Sequence, residues 1–205
     1  MYEATKRLFD VSAAAVGLLL LAPLLALGAG AAWLGGLRPV FFQQLRTGYQ
    51  ERAFFILKLR TMTQNTDAGG QLLPDAERLT GLGRWLRRSS LDELPQLWNV
   101  LRGELSLVGP RPFIHDYLPL YTAEQRTRFR VRPGITGWAQ VHGGNARSWE
   151  EKFALDNWYV AHRSWAVDLR ILLRTMTHVL GQGRPPGSNA PAPRFTGTRP
   201  LPVLI

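Results

Sequence analysis

Residues 11–37 contain no charged side chain. This run constrains the fold more than any other feature of the chain. The stretch V-S-A-A-A-V-G-L-L-L-L-A-P-L-L-A-L-G-A-G-A-A-W-L-G-G-L is long enough to cross a bilayer, which takes about 20 residues. A cleaved signal peptide fits poorly, because the apolar run is too long and the chain lacks the cysteines that often accompany export. Pro23 divides the run into residues 11–22 and 24–37. At about 1.5 Å per residue each half reaches about 20 Å, short of a hydrocarbon core of about 30 Å. Proline also removes a backbone donor and kinks a helix. Lys6 and Arg7 precede the run, and Arg38, Arg46 and Arg52 follow it. Positive charge on both flanks fits both ends on the cytoplasmic side. Two architectures remain open: a re-entrant helix–break–helix hairpin over residues 1–38, and a single spanning anchor kinked at Pro23, which membrane helices tolerate.

The remainder reads as one mostly helical α+β domain over residues 39–180, followed by a Pro/Gly-rich tail, 181–205, expected to be disordered or extended. Residues 40–44 and 53–59 are β-rich and flank Gly48, which predicts a short hairpin. Residues 63–80 are loop-like. Residues 82–88 form a basic amphipathic stretch with Trp85, suited to a membrane surface. Further helices are expected at 119–130, 149–162 and 167–180, with a glycine-rich loop at 131–145. Leu169, Leu172, Leu173, Met176 and Leu180 fall on one side of the last helix. Seven tryptophans suit an interfacial protein. For Trp98, Trp138 and Trp158, an ordinary core role is the plainer expectation.

The net charge of +10 and the pI near 11.0 call for an anionic partner: nucleic acid, anionic lipid or a phosphorylated substrate. The absence of cysteine excludes disulfides and thiolate metal sites, and the four histidines show no zinc spacing. Any metal is therefore expected to be a hard ion such as magnesium on oxygen ligands. No nucleic-acid motif accompanies the charge, so a nucleic-acid partner is not expected.

Within this basic chain, Asp92 and Glu93 stand directly behind Arg87 and Arg88. Pro95 is tolerated in a first helical turn, and Leu94, Leu97, Trp98, Leu101 and Leu105 recur at helical spacing. A helix is therefore expected to begin near residues 91–93, capped by Ser90 or Asp92. The two carboxylates would then sit at its positive end and stay ionised. Such an aspartate can act as a nucleophile or a metal ligand, and it can equally be an ordinary helix-start residue. Lys58, Arg60, Arg87, Arg88, Arg111, Arg128, Arg130 and Arg132 could converge on phosphate, for which arginine offers a bidentate fork.

Several strings resemble the bacterial sugar transferases, the monotopic polyprenyl-phosphate phosphoglycosyl transferases. They are K-R-L-F-D (6–10), F-F-I-L-K-L-R-T-M (54–62), S-L-D-E-L-P-Q-L-W-N-V-L-R-G-E-L-S-L-V-G-P-R-P (90–112), R-P-G-I-T-G-W-A-Q-V (132–141) and W-Y-V-A-H-R-S-W-A-V-D-L-R-I-L (158–172). The resemblance covers roughly residues 3–180. It implies transfer of a phosphosugar from a UDP-sugar to undecaprenyl phosphate with release of UMP, at the cytoplasmic face of the bacterial inner membrane. It also implies a re-entrant membrane helix and amphipathic helices lying at the interface with its phospholipids. By the same match Asp92 is the nucleophile that forms a covalent phosphosugar intermediate, and Glu93 binds magnesium and assists the lipid phosphate. Both carboxylates would be metal ligands. Arg87 and Arg111 become the leading phosphate ligands, with Lys58, Arg60, Arg132 and Gln140 also at the substrate.

Two departures stand out. The family's Ser-Pro is Ala22-Pro23 here, and its V-N-G-R-N is V-H-G-G-N at 141–145. Gly144 replaces an arginine, and Arg147 lies three residues on. A nonenzymatic basic membrane adaptor is the competing reading, although it would have no need of Asp92. The sugar, the pathway and any oligomeric state are left open.

Overall fold

The structure, a computed structural model, describes residues 1–180 and 193–197. It is mostly helical, with one antiparallel hairpin and one long apolar helix at the N-terminus.

Helix α1 runs over Tyr2–Leu34 and is long and apolar enough to cross a membrane. The two helices expected on either side of Pro23 are a single element with the proline inside it. The reason is local: Pro23 forfeits only its own bond to the Leu19 carbonyl, while the apolar residues on both sides favour helix. Leu19, Leu20 and Leu27 on its middle and far turns are largely exposed.

Both ends of α1 pack on the same body. Near its start Lys6 pairs with Asp168 at 2.9 Å, Asp10 accepts from the Ser106 hydroxyl at 2.7 Å, and Arg7 donates to the Val100 carbonyl at 2.8 Å. Tyr159 adds a 2.8 Å bond to Asp168. Ala14 enters a buried cluster with Phe54, Ile56, Val100 and Leu105. Farther along, a Cβ on Gly28 would lie 3.2 Å from Leu59 Cδ1, so only a residue without one fits without displacing that leucine.

Strands β1 (Phe41–Thr47) and β2 (Ala53–Leu59) pair antiparallel, with Phe41 opposite Leu59 and Thr47 opposite Ala53. After a loop containing the single turn α2 (Asp75–Arg78), helix α3 covers Gly81–Arg88, with the Thr80 hydroxyl accepting from the Gly83 amide. Helix α4 covers Gln96–Arg102. Strand β3 (Ser106–Val108) pairs in parallel with β4 (Gly134–Thr136), which is followed by the short helix α5 (Trp138–Val141). Helices α6 (Trp149–His162) and α7 (Trp165–Val179) follow. A capping box, Ser148 with Glu151, starts α6.

Three expectations need correction. Residues 119–130 are not one helix but parts of two 3-10 stretches, His115–Leu120 and Gln125–Arg130. Pro119 has no amide to extend a helix, and Thr122 and Gln125 cap each other across the gap. The loop at 131–145 holds β4, a parallel pairing with no local sequence signal. Trp98 and Trp158 are exposed rather than core. The apolar side of α7 also faces outward, with Leu169, Leu173 and Met176 exposed and Asp168 and Ile171 buried.

Of the tail, 193–197 is described. Phe195 is buried among Tyr117, Tyr121, Phe129 and Phe153, and the Pro193 carbonyl accepts from the Trp149 indole. The rest of the tail, 181–192 and 198–205, lies outside the described residues.

Candidate active site

The acidic pair sits one turn earlier than the helix expected to carry it. Leu91–Glu93 is a 3-10 turn, and α4 begins only at Gln96. Pro95 explains the separation. It has no N–H to bond the Leu91 carbonyl, which instead accepts from the Leu94 amide at 3.3 Å. Ser90, with φ near 58°, turns the chain into it through the left-handed region. The ionisation state of the pair is therefore set by neighbouring side-chain charges against burial rather than by a helix end.

Those charges are supplied by neighbouring elements. Asn99 of α4 clamps β2 by accepting from the Leu57 amide at 3.1 Å and donating to the Phe55 carbonyl at 2.8 Å. The next residue of β2, Lys58, then meets Glu93 at 2.6 Å. Arg111 reaches the same Glu93 Oε1 at 3.1 Å. Arg87, on α3, donates to the Thr61 hydroxyl at 2.9 Å and contributes positive charge toward Asp92.

The loop 109–112 that carries Arg111 is held by backbone packing. A Cβ on Gly134 would collide with the Gly109 amide, and one on Gly137 with the Gly109 carbonyl, so these positions need glycine. Two arginines fix the loop further. Arg46 donates to the Pro112 carbonyl at 3.1 Å, and Arg128 donates to the Arg111 carbonyl. Arg128 is itself paired with Asp156 at 2.7 Å, both side chains being almost fully buried.

Charge and burial separate the two acids. Burial pushes the Asp92 carboxyl up to about 6, and the neighbouring Glu93 charge adds to this against Lys58, Arg87 and Arg111. For Glu93 burial also acts upward, but Arg111 and Lys58 outweigh it and hold the carboxyl down at about 2. Glu93 is thus ionised at neutral pH and Asp92 is the more basic of the two. Lys58 is lowered by burial, opposed by Glu93, and Arg46 is lowered to about 10 by burial and the repulsion of Arg111. Four cations, Arg46, Lys58, Arg87 and Arg111, surround two carboxylates, so the site carries an excess of positive charge.

The other anticipated residues are engaged elsewhere. Arg60 donates to the Pro39 carbonyl at 2.7 Å, Arg132 to the Gly103 carbonyl at 3.1 Å, and Gln140 to the Ile135 carbonyl at 2.8 Å. Arg147 folds over Gly143, donates to the His142 carbonyl at 2.9 Å and pairs with Glu151 at 2.8 Å. Arg46 and Asp156 escaped sequence reasoning as site components, and Arg128, anticipated at phosphate, is instead buried in its pair with Asp156. One signal was available for the pair. Asp156 lies on the stripe 152, 153, 156, 159, 160 that α6 buries, and an acid on such a stripe requires a partner.

The sequence matches the family model for bacterial sugar transferases over residues 1–182. The chain belongs to that family. It is 50% identical over 194 residues to the uncharacterized sugar transferase EpsL of Bacillus subtilis, covering 94% of this chain and 96% of that protein. It is 44% identical over 185 residues to the UDP-glucose:undecaprenyl-phosphate glucose-1-phosphate transferase of Caulobacter vibrioides, covering 85% and 69%. It is 37% identical over 188 residues to the UDP-N-acetylgalactosamine-undecaprenyl-phosphate N-acetylgalactosaminephosphotransferase of Aeromonas hydrophila, covering 88% of this chain but 44% of that protein. Like the latter two relatives, this bacterial sugar transferase is an enzyme of the phosphoglycosyl transferase type. Membership excludes the nonenzymatic adaptor.

Proposed function

We propose that this sugar transferase moves a phosphosugar from a UDP-sugar to undecaprenyl phosphate in two steps through Asp92. The observation that carries the proposal is the split of the acidic pair: a buried, basic aspartate beside a glutamate locked by Lys58 and Arg111. In the first step an Asp92 carboxylate oxygen attacks the sugar-bearing phosphorus. The bond from that phosphorus to the bridging oxygen breaks, and UMP leaves with the electron pair. In the second step an oxygen of the acceptor phosphate attacks the same phosphorus and the aspartyl–phosphorus bond breaks, restoring Asp92. Covalent catalysis divides one transfer between bulky phosphates into two simpler displacements. The surrounding arginines and Lys58 offset the repulsion between a carboxylate and a diphosphate.

Asp92 and Glu93 fit a magnesium site. Magnesium is commonly held by one or two carboxylates together with substrate phosphates, and both contacts made by Glu93 use Oε1 alone. Among the described residues no group of three or more acidic, histidine or cysteine side chains could form a closed metal cage. When bound, magnesium supplies charge neutralisation at the phosphates. Chelation by EDTA is expected to abolish UMP release, with recovery on adding magnesium; indifference to chelation would remove the metal from the account.

Because Asp92 titrates near 6 in the metal-free fold, protons should compete with magnesium there, and the magnesium concentration giving half-maximal UMP release should rise as pH drops below about 6. Magnesium titrations at pH 7 and pH 5 measure this; equal half-maximal concentrations would contradict it.

The same proposal places the chain at the cytoplasmic face of the inner membrane, with α1 entering and leaving on one side. Support comes from its length and its packing. A straight helix of 33 residues extends about 50 Å, more than a bilayer core. Yet Lys6 near one end and Gly28 near the other both touch the same body. The outward apolar face of α7, next to Phe9 and Trp165, suits the membrane surface. Cysteines introduced singly as Glu3→Cys and Gly36→Cys have no native thiol background. Both should resist an impermeant thiol reagent in intact cells and react after lysis. Labelling of only one of them from outside would show a spanning helix.

A further inference from the structure

An apolar cavity of about 240 Å³ lies between the second half of α1 and the segment bearing the acidic pair. Its walls include Leu27 and Gly28 of α1, Leu59 of β2, Leu86 of α3, and Leu91 and Leu94, which bracket Asp92 and Glu93 in the chain. No charged side chain lines it. Trp85 and Leu27, which also line it, are both more than half exposed. The turn that presents the carboxylates to phosphate thus presents its leucines to this cavity.

We propose that the cavity seats the first isoprenoid units of the polyprenyl phosphate acceptor. The inference rests on the proposed acceptor and adds where its chain is held. The occupant is argued from position and size. A lipid that delivers phosphate to Asp92 must lead its chain away from Leu91 and Leu94, toward the exposed face of α1. An apolar cavity of about 150 Å³ takes one benzene, so this one has room for roughly two branched five-carbon units. The remaining chain stays in the membrane. Holding only the proximal units fixes the phosphate without immobilising a long flexible tail.

Ala31 lines the cavity from an exposed position, so it can be enlarged without disturbing the core. Ala31→Trp is expected to raise KM for undecaprenyl phosphate roughly tenfold, because the cavity no longer buries several methylene-sized groups. KM for the UDP-sugar and the single-turnover UMP burst without acceptor should not change. Leu20→Trp places the same indole on an exposed face of α1 outside the cavity and should leave acceptor KM as it was. Equal KM for Ala31→Trp and wild type, or equal increases in Ala31→Trp and Leu20→Trp, would overturn the proposal. A second measurement uses a photoreactive group on the first isoprene unit of a polyprenyl phosphate. Crosslinks to the peptide containing Leu27 and Ala31 should be displaced by unlabelled undecaprenyl phosphate and not by phosphatidylglycerol vesicles. Displacement by phosphatidylglycerol would assign the cavity to an acyl chain instead. Failure of wild-type enzyme to release UMP from any UDP-sugar would be a different outcome, and it would remove the proposed reaction itself.

Discussion

Asp92→Asn is expected to abolish UMP release from a UDP-sugar while leaving the protein folded and membrane-bound. The amide is nearly isosteric, but it is a poor nucleophile and cannot carry the negative charge the first step needs. The substitution should also stabilise the protein in the absence of metal. Burial holds the Asp92 carboxyl at about 6 in the fold, above its ordinary 3.8, so keeping it ionised at neutral pH costs on the order of 3 kcal/mol. That cost grows as pH rises from about 4 to about 6 and is complete above it. Asparagine carries none of it. Melting curves in EDTA at pH 7.5 should place the variant above wild type, and the gap should close toward pH 4. A variant that keeps full activity would end the nucleophile assignment. A variant less stable than wild type at pH 7.5 would show that the carboxylate is not strained by burial.

The second large effect is expected far from the reacting atoms. Asp156→Ala removes the charge facing Arg128, whose side chain is 1% exposed, with the cation Lys152 also buried close by. An uncompensated buried guanidinium costs about 3–5 kcal/mol. For a chain of this size that corresponds to a fall of roughly 10 °C in Tm. The damage should also reach the site, because Arg128 holds the Arg111 carbonyl and Arg111 holds Glu93. Replacing the pair together, Arg128→Met with Asp156→Leu, should recover part of the stability, since neither charge is left alone. It should recover little of the activity, because the clamp on the Arg111 loop is gone. Thermal melts and steady-state kinetics on the three proteins separate the two effects. Equal Tm for Asp156→Ala and wild type would contradict the buried-pair account.

Much of the site was legible because it is local. Asp92, Glu93, Arg87 and Pro95 lie within nine residues, and the family strings carried Lys58 and Arg111 to the same place. The hairpin β1–β2, helix α6 and helix α7 were visible in patterning that acts over a few residues. What failed was non-local or depended on one missing hydrogen. The parallel pairing of β3 with β4 joins segments with no shared local signal, and Arg46 reaches the site by pairing across strands and loops. Pro95 was expected to begin a helix that included the acids. Instead its absent N–H separates them into a 3-10 turn. Pro23 shows the converse, since one missing bond did not interrupt a strongly apolar helix.

The central claim is that the phosphosugar passes through Asp92, and the mass of the protein tests it most directly. Enzyme incubated with magnesium and a UDP-sugar, without acceptor, should release UMP in an amount close to that of the enzyme. It should gain the mass of one phosphosugar, map that mass to the peptide bearing Asp92, and lose it when undecaprenyl phosphate is added. UMP that forms only in the presence of acceptor, with no adduct at any time, would contradict the account.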